Sequence, residues 1–282
     1  MATPIGTLGD LSPRVRKVLA SVDLILSEDT RRARRLLAHL DLAAGNRLRS
    51  LHEHNEEKKV PSLLDMLTAG KSLALISDAG TPVLSDPGFL LVRAARENGI
   101  RVCSLPGASA FVAALAASGQ PPLPATLCGF LPARSGQRQR RIAELDILPW
   151  TLVILLSPHR LAGELADIAK VLGGGRRATL LAELSKLHER AVTGTLSELA
   201  AGGEAAAPRG EYVLVVAPAE TGQGPAAGVD PEMIRTSYHA LVNEGWSRRD
   251  ALREAAQRLG VRRRQVFDAV ASEVRREDET DG

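Results

Sequence analysis

The chain has 282 residues, of which 44% are hydrophobic and 24% are charged. This balance is typical of a folded protein of about two domains and excludes a largely disordered chain. The net charge is only +3, but the sequence pI is about 9.1, and 30 of the 36 basic residues are arginine. Arginine suits contacts with phosphates and bases, yet a GC-rich genome produces the same bias, so composition alone does not predict a nucleic-acid partner.

The cysteine pattern indicates a reducing compartment, and the hydropathy pattern bears on membrane spans and signal peptides. Cys103 and Cys128 fall in apolar, strand-like runs without metal-ligand spacing, and they are predicted to be small core residues. The sequence has no apolar run of about 18 residues and no basic-then-apolar leader. We therefore expect no membrane span, no signal peptide and a cytoplasmic location.

The first part of the chain alternates strand-like runs with helical patterns. Strands are predicted at 2–5, 22–27, 48–52, 73–77 and 101–105, and helices at 12–21, 30–40, 57–69, 87–98 and 107–118. This alternation is typical of an α/β lobe with a largely parallel sheet, which we assign to residues 1–121. The first strand is very short, so we expect either a start codon upstream of Met1 or a weakened first lobe.

A proline-rich segment at 118–125 is predicted to be a linker. A second α/β lobe, assigned to residues 122–219, follows it. Its predicted strands lie at 126–130, 151–156, 178–184, 188–193 and 211–217, and its helices near 138–147 and 158–172.

A flexible linker at 220–228 precedes three helical patterns near 231–244, 248–259 and 262–275. This C-terminal appendage, residues 230–276, has the pattern of a small helix-turn-helix-like bundle. Nine arginines fall between residues 246 and 276. Two interpretations stay open, namely phosphate contacts with a nucleic acid, or a packing or dimerisation element with a solvated basic face.

Two small-residue loops lie at predicted strand ends, where ligands bind in open α/β sheets. Small residues let the backbone approach a ligand closely. The loops contain Asp78, Gly80 and Thr81 in the first, and Gly107, Ala108 and Ser109 in the second. After the first loop, Asp86 is predicted to cap the next helix and Pro87 to begin it. Glycine-rich fingerprints of NTPases and dinucleotide enzymes are missing from the sequence.

Two polar segments follow the strands predicted at 22–27 and 48–52. In the first, Glu28 and Asp29 are costly to bury unless Arg31 or Arg32 pairs with them, and helix capping explains only one of the two acids. The second is the HEHNEE sequence at 52–57, which is predicted to be a polar active-site loop. His54 is a candidate base because an unperturbed imidazole is mostly neutral at pH 7. A metal site is the alternative, but a third ligand of suitable spacing is missing.

Two basic segments belong to the second lobe. Ser157 is predicted to cap a helix that begins at Pro158, so His159 and Arg160 fall in its first turn, where cations oppose the helix dipole by about 0.3–1 kcal/mol each. That cost indicates a need for positive charge there. Lys186 lies in AELSKLHER at 182–190, which is predicted to be strand. It could be a base if desolvation lowers its pKa, a phosphate ligand, or a member of a surface salt bridge.

Six segments in this order resemble the ribosomal RNA small subunit methyltransferase I family, which belongs to the tetrapyrrole-methylase class. They are ATPIGTLGDLSP, SEDTRRARRLL, HEHNEE, SDAGTP, LPGASA and SPHR. The resemblance implies a two-lobed, tetrapyrrole-methylase-like α/β body over residues 2–217 with a C-terminal three-helix appendage. It further implies S-adenosylmethionine-dependent 2′-O-methylation of a cytidine in small-subunit (16S) ribosomal RNA. Related methylases pair, which allows a homodimer.

The resemblance also assigns roles to the motifs. The two small-residue loops are expected to bind the donor, together with second-lobe strand ends near Leu156 and Ala182. The candidates for removing the hydroxyl proton are Glu28, Asp29, His54 and Lys186. RNA contacts are expected from Arg31, His159, Arg160, Arg262 and Arg263, although His159 and Arg160 could instead hold the donor's carboxylate. No metal is expected, because the sulfonium supplies its own leaving group and orientation supplies most of the rate.

Two alternative functions use the same fold. One is methylation of a tetrapyrrole such as a cobalamin precursor, which would need neither the basic appendage nor the EDTRR helix. The other is a non-catalytic RNA-binding or ribosome-assembly protein. It is favoured by the short first strand and by two departures from the family pattern, since Leu155-Leu156 replaces an aromatic–Glu pair and Ala182 replaces an arginine.

Overall fold

The computed structural model describes residues 1–206, 208–219, 230–259, 261 and 265–270. The chain divides into two compact units, and the first of them is Met1–Ala219. Within the described ranges, no helix is both long and apolar enough to cross a bilayer.

The first unit begins with a small parallel sheet of strand order β2-β1-β3. Its strands are β1 (Leu24–Ser27), β2 (Leu48–Ser50) and β3 (Leu73–Leu75), and its helices are α1 (Pro13–Ser21), α2 (Thr30–His39), α3 (Glu53–Thr68) and α4 (Phe89–Glu97). Alternate residues of β1 enter different cores. Ile25 packs with Leu19 and Leu37 of α1 and α2, whereas Leu26 packs with residues of α3 and α4. Both faces are therefore covered, which explains why β1 is a continuous apolar run.

The second sheet has five strands in the order β4-β5-β8-β6-β7, and only β4 and β5 are parallel. The strands are β4 (Ala125–Phe130), β5 (Thr151–Leu156), β6 (Arg177–Ala182), β7 (Arg190–Thr195) and β8 (Tyr212–Val216). The helices are α5 (Ala110–Ser118), α6 (Ser135–Asp146), α7 (Leu161–Leu172), α8 (Leu196–Ala201) and α9 (Gly203–Ala206). Residues of α6 to α9 form the large core on one face, and Ala114 of α5 packs with Val153, Leu181 and Val213 on the other. Thus α5 connects the loops of the first sheet to the face of the second.

The strand predicted at 101–105 is wrong, because this segment forms no ladder. A cavity of about 640 Å³ lies between it and β3, with Leu75, Val102 and Leu105 in its lining. The predicted first strand at 2–5 is reduced to a single bridge between Thr3 and Gly80. A strand exists only where a neighbour supplies hydrogen bonds, and neither segment lies beside a full-length partner.

Two further predictions about side-chain environment and strand length need correction. Cys103 is exposed rather than in the core, and Cys128 is half-buried, with burial raising the pKa of its thiol to about 11. The AELSKLHER segment is not a strand. It leaves β6 after Ala182 through a turn in which Glu183 and Ser185 have left-handed φ values of 56° and 61°.

The C-terminal unit contains α10 (Pro231–Asn243), α11 (Arg248–Leu259) and helical residues at 265–270. Leu241 of α10, Ala255 of α11 and Val266 share its buried core. Gly245 separates α10 from α11 with a φ of 92°, which favours glycine. Arg262 and Arg263 lie outside the described residues.

Candidate functional site

The carboxyl ends of β1 and β3 bring acidic side chains together. Glu28 and Asp29 follow β1, and the backbone N–H of Asp29 donates to Oδ1 of Asp78, just beyond β3, at 3.1 Å. The loop before α4 adds the half-buried Asp86. Burial, assisted by the charges of Glu28 and Asp78, raises the pKa of Asp86 to about 6. This edge of the sheet therefore favours a cationic ligand, and one of its carboxyls titrates close to neutral pH.

Asp29 has a structural role at this edge. Its Oδ1 accepts the backbone N–H of Arg31 at 2.7 Å, which caps α2, and its Oδ2 lies 3.1 Å from Nη2 of Arg31. These hydrogen bonds lower the pKa of Asp29 to about 2. Asp29 is consequently ionised and poorly suited to accept a proton, although it was a predicted catalytic residue. Glu28 is exposed and has no hydrogen bond or ion pair with the part of the chain that the structure describes.

The two small-residue loops lie against each other. Thr81 donates from Oγ1 to the carbonyl of Ala108 at 3.2 Å. Gly80 adopts a left-handed φ of 79° and exchanges backbone hydrogen bonds of 2.9 and 3.0 Å with Thr3. At Gly107 a Cβ would lie 2.9 Å from the Cβ of Ala2. The N-terminal segment is thus held between the loops, as expected if both face one ligand.

The last of the predicted donor-loop residues, Ser109, lies directly before α5 but makes no side-chain cap hydrogen bond there. Leu156 and Ala182 both pair with Tyr212, so β5 and β6 end at the same edge of the second sheet. Their side chains are in the core. Only their backbone is therefore available to a ligand at this edge.

The turn after β6 contacts the N-terminal loop. Thr7 donates from Oγ1 to the carbonyl of Ser185 at 2.6 Å, and Ser185 in turn donates from Oγ to Asp10. A Cβ on Gly6 would lie 2.6 Å from the Ser185 carbonyl oxygen. This close approach joins the N-terminal segment of the first sheet to the edge of the second.

Lys186 does not meet the condition for a general base. Its Nζ lies 2.8 Å from Glu183 and 3.0 Å from Glu211. Partial burial lowers the pKa of Lys186, but hydrogen bonds and charge from these two carboxylates outweigh burial and raise it overall. The condition under which Lys186 could be a base is therefore not met, and its two ion pairs match the salt-bridge alternative.

The HEHNEE segment is helical rather than a loop. His52 is the N-cap of α3, and the backbone N–H of His52 donates to the Asn55 side chain at 3.0 Å within a capping box. His54 is exposed in the first turn, and the His52 and His54 rings are 6.1 Å apart. Among the described residues, no group of three or more histidine, cysteine or acidic side chains is arranged to hold a metal.

Sequence reasoning missed the role of Glu56. Its side chain is buried, and its two oxygens accept the backbone N–H groups of Gly88 and Leu91 at 3.1 Å each. Glu56 therefore caps α4, which begins at Phe89, so the predicted cap at Asp86 and start at Pro87 are wrong. The available signal was helical spacing, because Glu56 lies seven residues before the buried Leu63 on one face of α3.

The SPHR segment forms a 3₁₀ turn at Pro158–Arg160 before α7, and the side chain of Ser157 makes no cap hydrogen bond. Instead, the backbone N–H of Ser157 donates to Glu164 at 3.0 Å. Glu164 is fully buried and accepts from Nε of Arg160 at 2.9 Å. The charge of Arg160 is thus compensated by an acid four residues later, whereas His159 is exposed.

Comparison with known proteins shows which family and which solved structures this chain is similar to. The family described as tetrapyrrole (corrin/porphyrin) methylases matches residues 2–200. The chain is 42% identical over 271 residues to a ribosomal RNA small subunit methyltransferase I of Xylella fastidiosa, covering 95% of this chain and 96% of the relative. The corresponding Mesorhizobium japonicum protein is 41% identical over 268 residues, with 95% and 88% covered. Uroporphyrin-III C-methyltransferase from Thermus thermophilus, solved with S-adenosylhomocysteine, superposes with a TM-score of 0.52 at 19% identity, covering 77% and 95%.

Proposed function

Because the chain belongs to the tetrapyrrole methylases and, within them, to the ribosomal RNA small subunit methyltransferase I family, we propose that it methylates the 2′-hydroxyl of a cytidine in small-subunit ribosomal RNA, with S-adenosylmethionine as donor. This proposal is supported by how much of the chain each relative matches. The ribosomal RNA enzymes match 95% of the chain, whereas the porphyrin enzyme matches 77%, which is about the length of the first unit. This difference favours RNA over a tetrapyrrole as substrate.

We assign the donor site to the loop from Asp78 to Thr81 and the loop from Gly107 to Ser109, which contact each other through Thr81 and Ala108. Backbone near Leu156 and Ala182 is proposed to complete it, supported by the hydrogen bond from Thr7 to Ser185, which brings the N-terminal segment to the turn after β6. Gly80 has a left-handed φ of 79°, and at Gly107 a Cβ would lie 2.9 Å from that of Ala2, so both positions favour glycine and leave the main chain available to a ligand. The nearby carboxylates complement the positive charge of a sulfonium donor.

Methyl transfer breaks the sulfonium C–S bond and forms a C–O bond, so the ribose hydroxyl must lose a proton. Asp29 is committed to capping α2 and Lys186 is protonated. Glu28 remains the better of the other two candidates, because it follows β1 at the acidic edge and its charge acts on Asp86, and His54 is the alternative. We assign proton removal to Glu28 at the end of β1, where orientation supplies most of the rate and general-base catalysis about 10²- to 10⁴-fold.

We assign the RNA contacts to basic side chains that follow the strand ends of the two sheets. Arg31 and His159 are exposed, and Arg160 is held by Glu164. Contacts by Arg262 and Arg263 stay a proposal from the sequence.

The proposed substrate places the enzyme in the cytoplasm on small-subunit RNA. Pairing of two copies is part of the proposal, supported by the exposed apolar side chains of Leu123 and Ile147, and light scattering of the purified protein tests it.

The decisive experiment supplies radiolabelled S-adenosylmethionine with small subunits, or with naked ribosomal RNA, from a strain lacking this gene. Label in one alkali-resistant, cytidine-containing dinucleotide is expected. Absence of label with intact donor binding would favour a tetrapyrrole substrate. Absence of both would favour a non-catalytic protein.

The assignment of Glu28 is tested in the same assay. Glu28→Gln is expected to lower kcat at least 100-fold while leaving the donor dissociation constant unchanged. Glu97→Gln, at the exposed C-terminal end of α4, is the matched control and should keep wild-type activity. A Glu28→Gln enzyme with wild-type kcat would refute the assignment.

A further inference from the structure

Helix α2 presents an unusual concentration of positive charge. Its buried residues are Ala33 and Leu37. At about 100° per residue, Arg31 and Arg35 lie opposite that buried face, and Arg32 and Arg34 lie on its two flanks. All four arginines are exposed. We call the group formed by Arg31, Arg32, Arg34 and Arg35 the arginine face.

The four arginines differ in how they are engaged. Arg31 is 3.1 Å from Asp29, and Arg32 is 3.6 Å from Asp78. The guanidinium groups of Arg34 and Arg35 make no ion pair or hydrogen bond with any residue that the structure describes. Nothing in the fold of the described chain therefore requires those two charges.

A nearby arginine shows what a structural role looks like in this lobe. Arg47 donates from Nη1 to the carbonyls of Leu19 and Val22, at 3.0 and 2.9 Å, near the end of α1. Its charge compensates helix carbonyls that lack partners within the helix. Arg34 and Arg35 have no comparable contact.

The arginine face costs stability. Arg31 and Arg32 lie in the first turn of α2, where cations oppose the helix dipole. Like charges three or four residues apart, such as Arg31 and Arg35, destabilise a helix by about 0.2–0.5 kcal/mol per pair. Arg31 and Arg32 have carboxylate partners in the fold, but Arg34 and Arg35 add to this charge without a structural contact, which is best explained by an anionic partner.

The position of α2 indicates which partner. The helix follows directly on Glu28 and Asp29, so the arginine face begins beside the candidate active site and, at 1.5 Å per residue, covers about 6 Å of the first half of α2. The carboxylates at the site repel phosphates. A substrate strand that enters the site therefore needs positive charge beside it to offset that repulsion.

We propose that the arginine face of α2, through Arg34 and Arg35 in particular, binds the phosphate backbone of the substrate RNA next to the methylated nucleotide. The inference rests on the proposed function, since it takes RNA as the substrate. Phosphate contacts of this kind position a protein on RNA without reading its sequence.

The test compares Arg34→Gln/Arg35→Gln with a control of equal charge change, Arg140→Gln/Arg141→Gln, at exposed positions of α6. Binding of naked small-subunit RNA is measured without donor over a series of salt concentrations. Each lost phosphate contact lowers the slope of log affinity against log salt by about 0.7–0.9, so the pair should lower it by about 1.5. At about 0.1 M salt this corresponds to roughly 20-fold or greater loss of affinity.

The control variant and donor binding are expected to match the wild type, and Arg34→Lys/Arg35→Lys should restore most of the slope. Equal RNA binding by the glutamine variant and its control would overturn the inference, as would an effect confined to donor binding. The two proposals fail separately. Wild-type protein that binds RNA through Arg34 and Arg35 but never methylates it refutes only the proposed function, and methylation indifferent to both residues refutes only this inference.

Discussion

Asp86→Asn is expected to stabilise the protein at alkaline pH but not at acidic pH. The pKa of Asp86 is raised to about 6, chiefly by burial and also by the charges of Glu28 and Asp78. A carboxyl whose pKa is raised on folding stabilises the fold while it is protonated. That contribution is complete below the unfolded-state pKa of about 4 and is lost as the pH rises through about 6. Above that range the ionised carboxylate is a net cost, which asparagine removes.

The size of the effect follows from the same shift. A pKa rise from about 4 to about 6 corresponds to about 3 kcal/mol at 1.36 kcal/mol per unit. Asp86 is only half-buried, so solvent screening reduces the expected gain to about 1–2 kcal/mol. The structure gives Asp86 no hydrogen bond within its described part, so the substitution should sacrifice little else.

Urea unfolding of the wild type and the variant at pH 5 and pH 8 measures the difference in free energy of unfolding. The variant should exceed the wild type at pH 8, and the gain should shrink at pH 5. Asp65→Asn, at an exposed position of α3, is the control and should show no such dependence. Equal gains for Asp86→Asn at both pH values would refute the argument that neighbouring carboxylates and burial act on Asp86.

Three further substitutions test the contacts that shape the site. Glu56→Ala should lower the free energy of unfolding by about 3–5 kcal/mol, because it leaves two buried N–H groups at the start of α4 without an acceptor, and Glu56→Gln should recover part of this loss. A loss under about 1 kcal/mol in urea unfolding would contradict the capping role. Gly6→Ala should raise the donor dissociation constant at least about tenfold, because its Cβ would lie 2.6 Å from the Ser185 carbonyl oxygen and would displace the N-terminal segment. Gly9→Ala, whose Cβ would lie 3.6 Å from its nearest neighbour, is the control, and equal affinities of the two variants by calorimetry would show that the contact between Gly6 and Ser185 does not affect donor binding. Lys186→Met should leave the shape of the kcat–pH profile from pH 6 to 9 unchanged, because the pKa of Lys186 is raised rather than lowered. If the substitution instead removes a rise of kcat with pH in this range, Lys186 is the base.

The sequence predicted elements best where local pattern and burial agree. The strand predicted at 151–156 is confirmed as β5, because six apolar or β-branched residues fit a strand covered on both faces. The segment at 101–105, Arg-Val-Cys-Ser-Leu, is shorter and more polar, and it forms no ladder with a neighbouring strand. Whether an extended run becomes a strand depends on a neighbour, which local sequence does not reveal.

The site shows the same division between local and long-range information. The loops at Asp78 and Gly107 could be located from their small residues, and the structure brings them into contact. The roles of Glu56 and Glu164 could not be predicted, because a carboxylate is buried only when folding brings it to backbone or charged donors. The sequence left three interpretations of Lys186 open, because the left-handed residues Glu183 and Ser185, which turn the chain and place two acids beside its ammonium group, could not be predicted from local pattern.

The cavity beside β3 leaves one side of the small sheet open. Strand β1 is hydrogen-bonded on both sides, but within the described chain β3 pairs with no strand except β1. Its other edge faces a largely apolar space, where the amine of Met1 donates to the Leu75 carbonyl at 2.8 Å. An edge without a partner strand is a template for adding a strand from another molecule. Aggregation on heating is therefore expected to start at Leu73–Leu75. A charged substitution at this edge is expected to slow it.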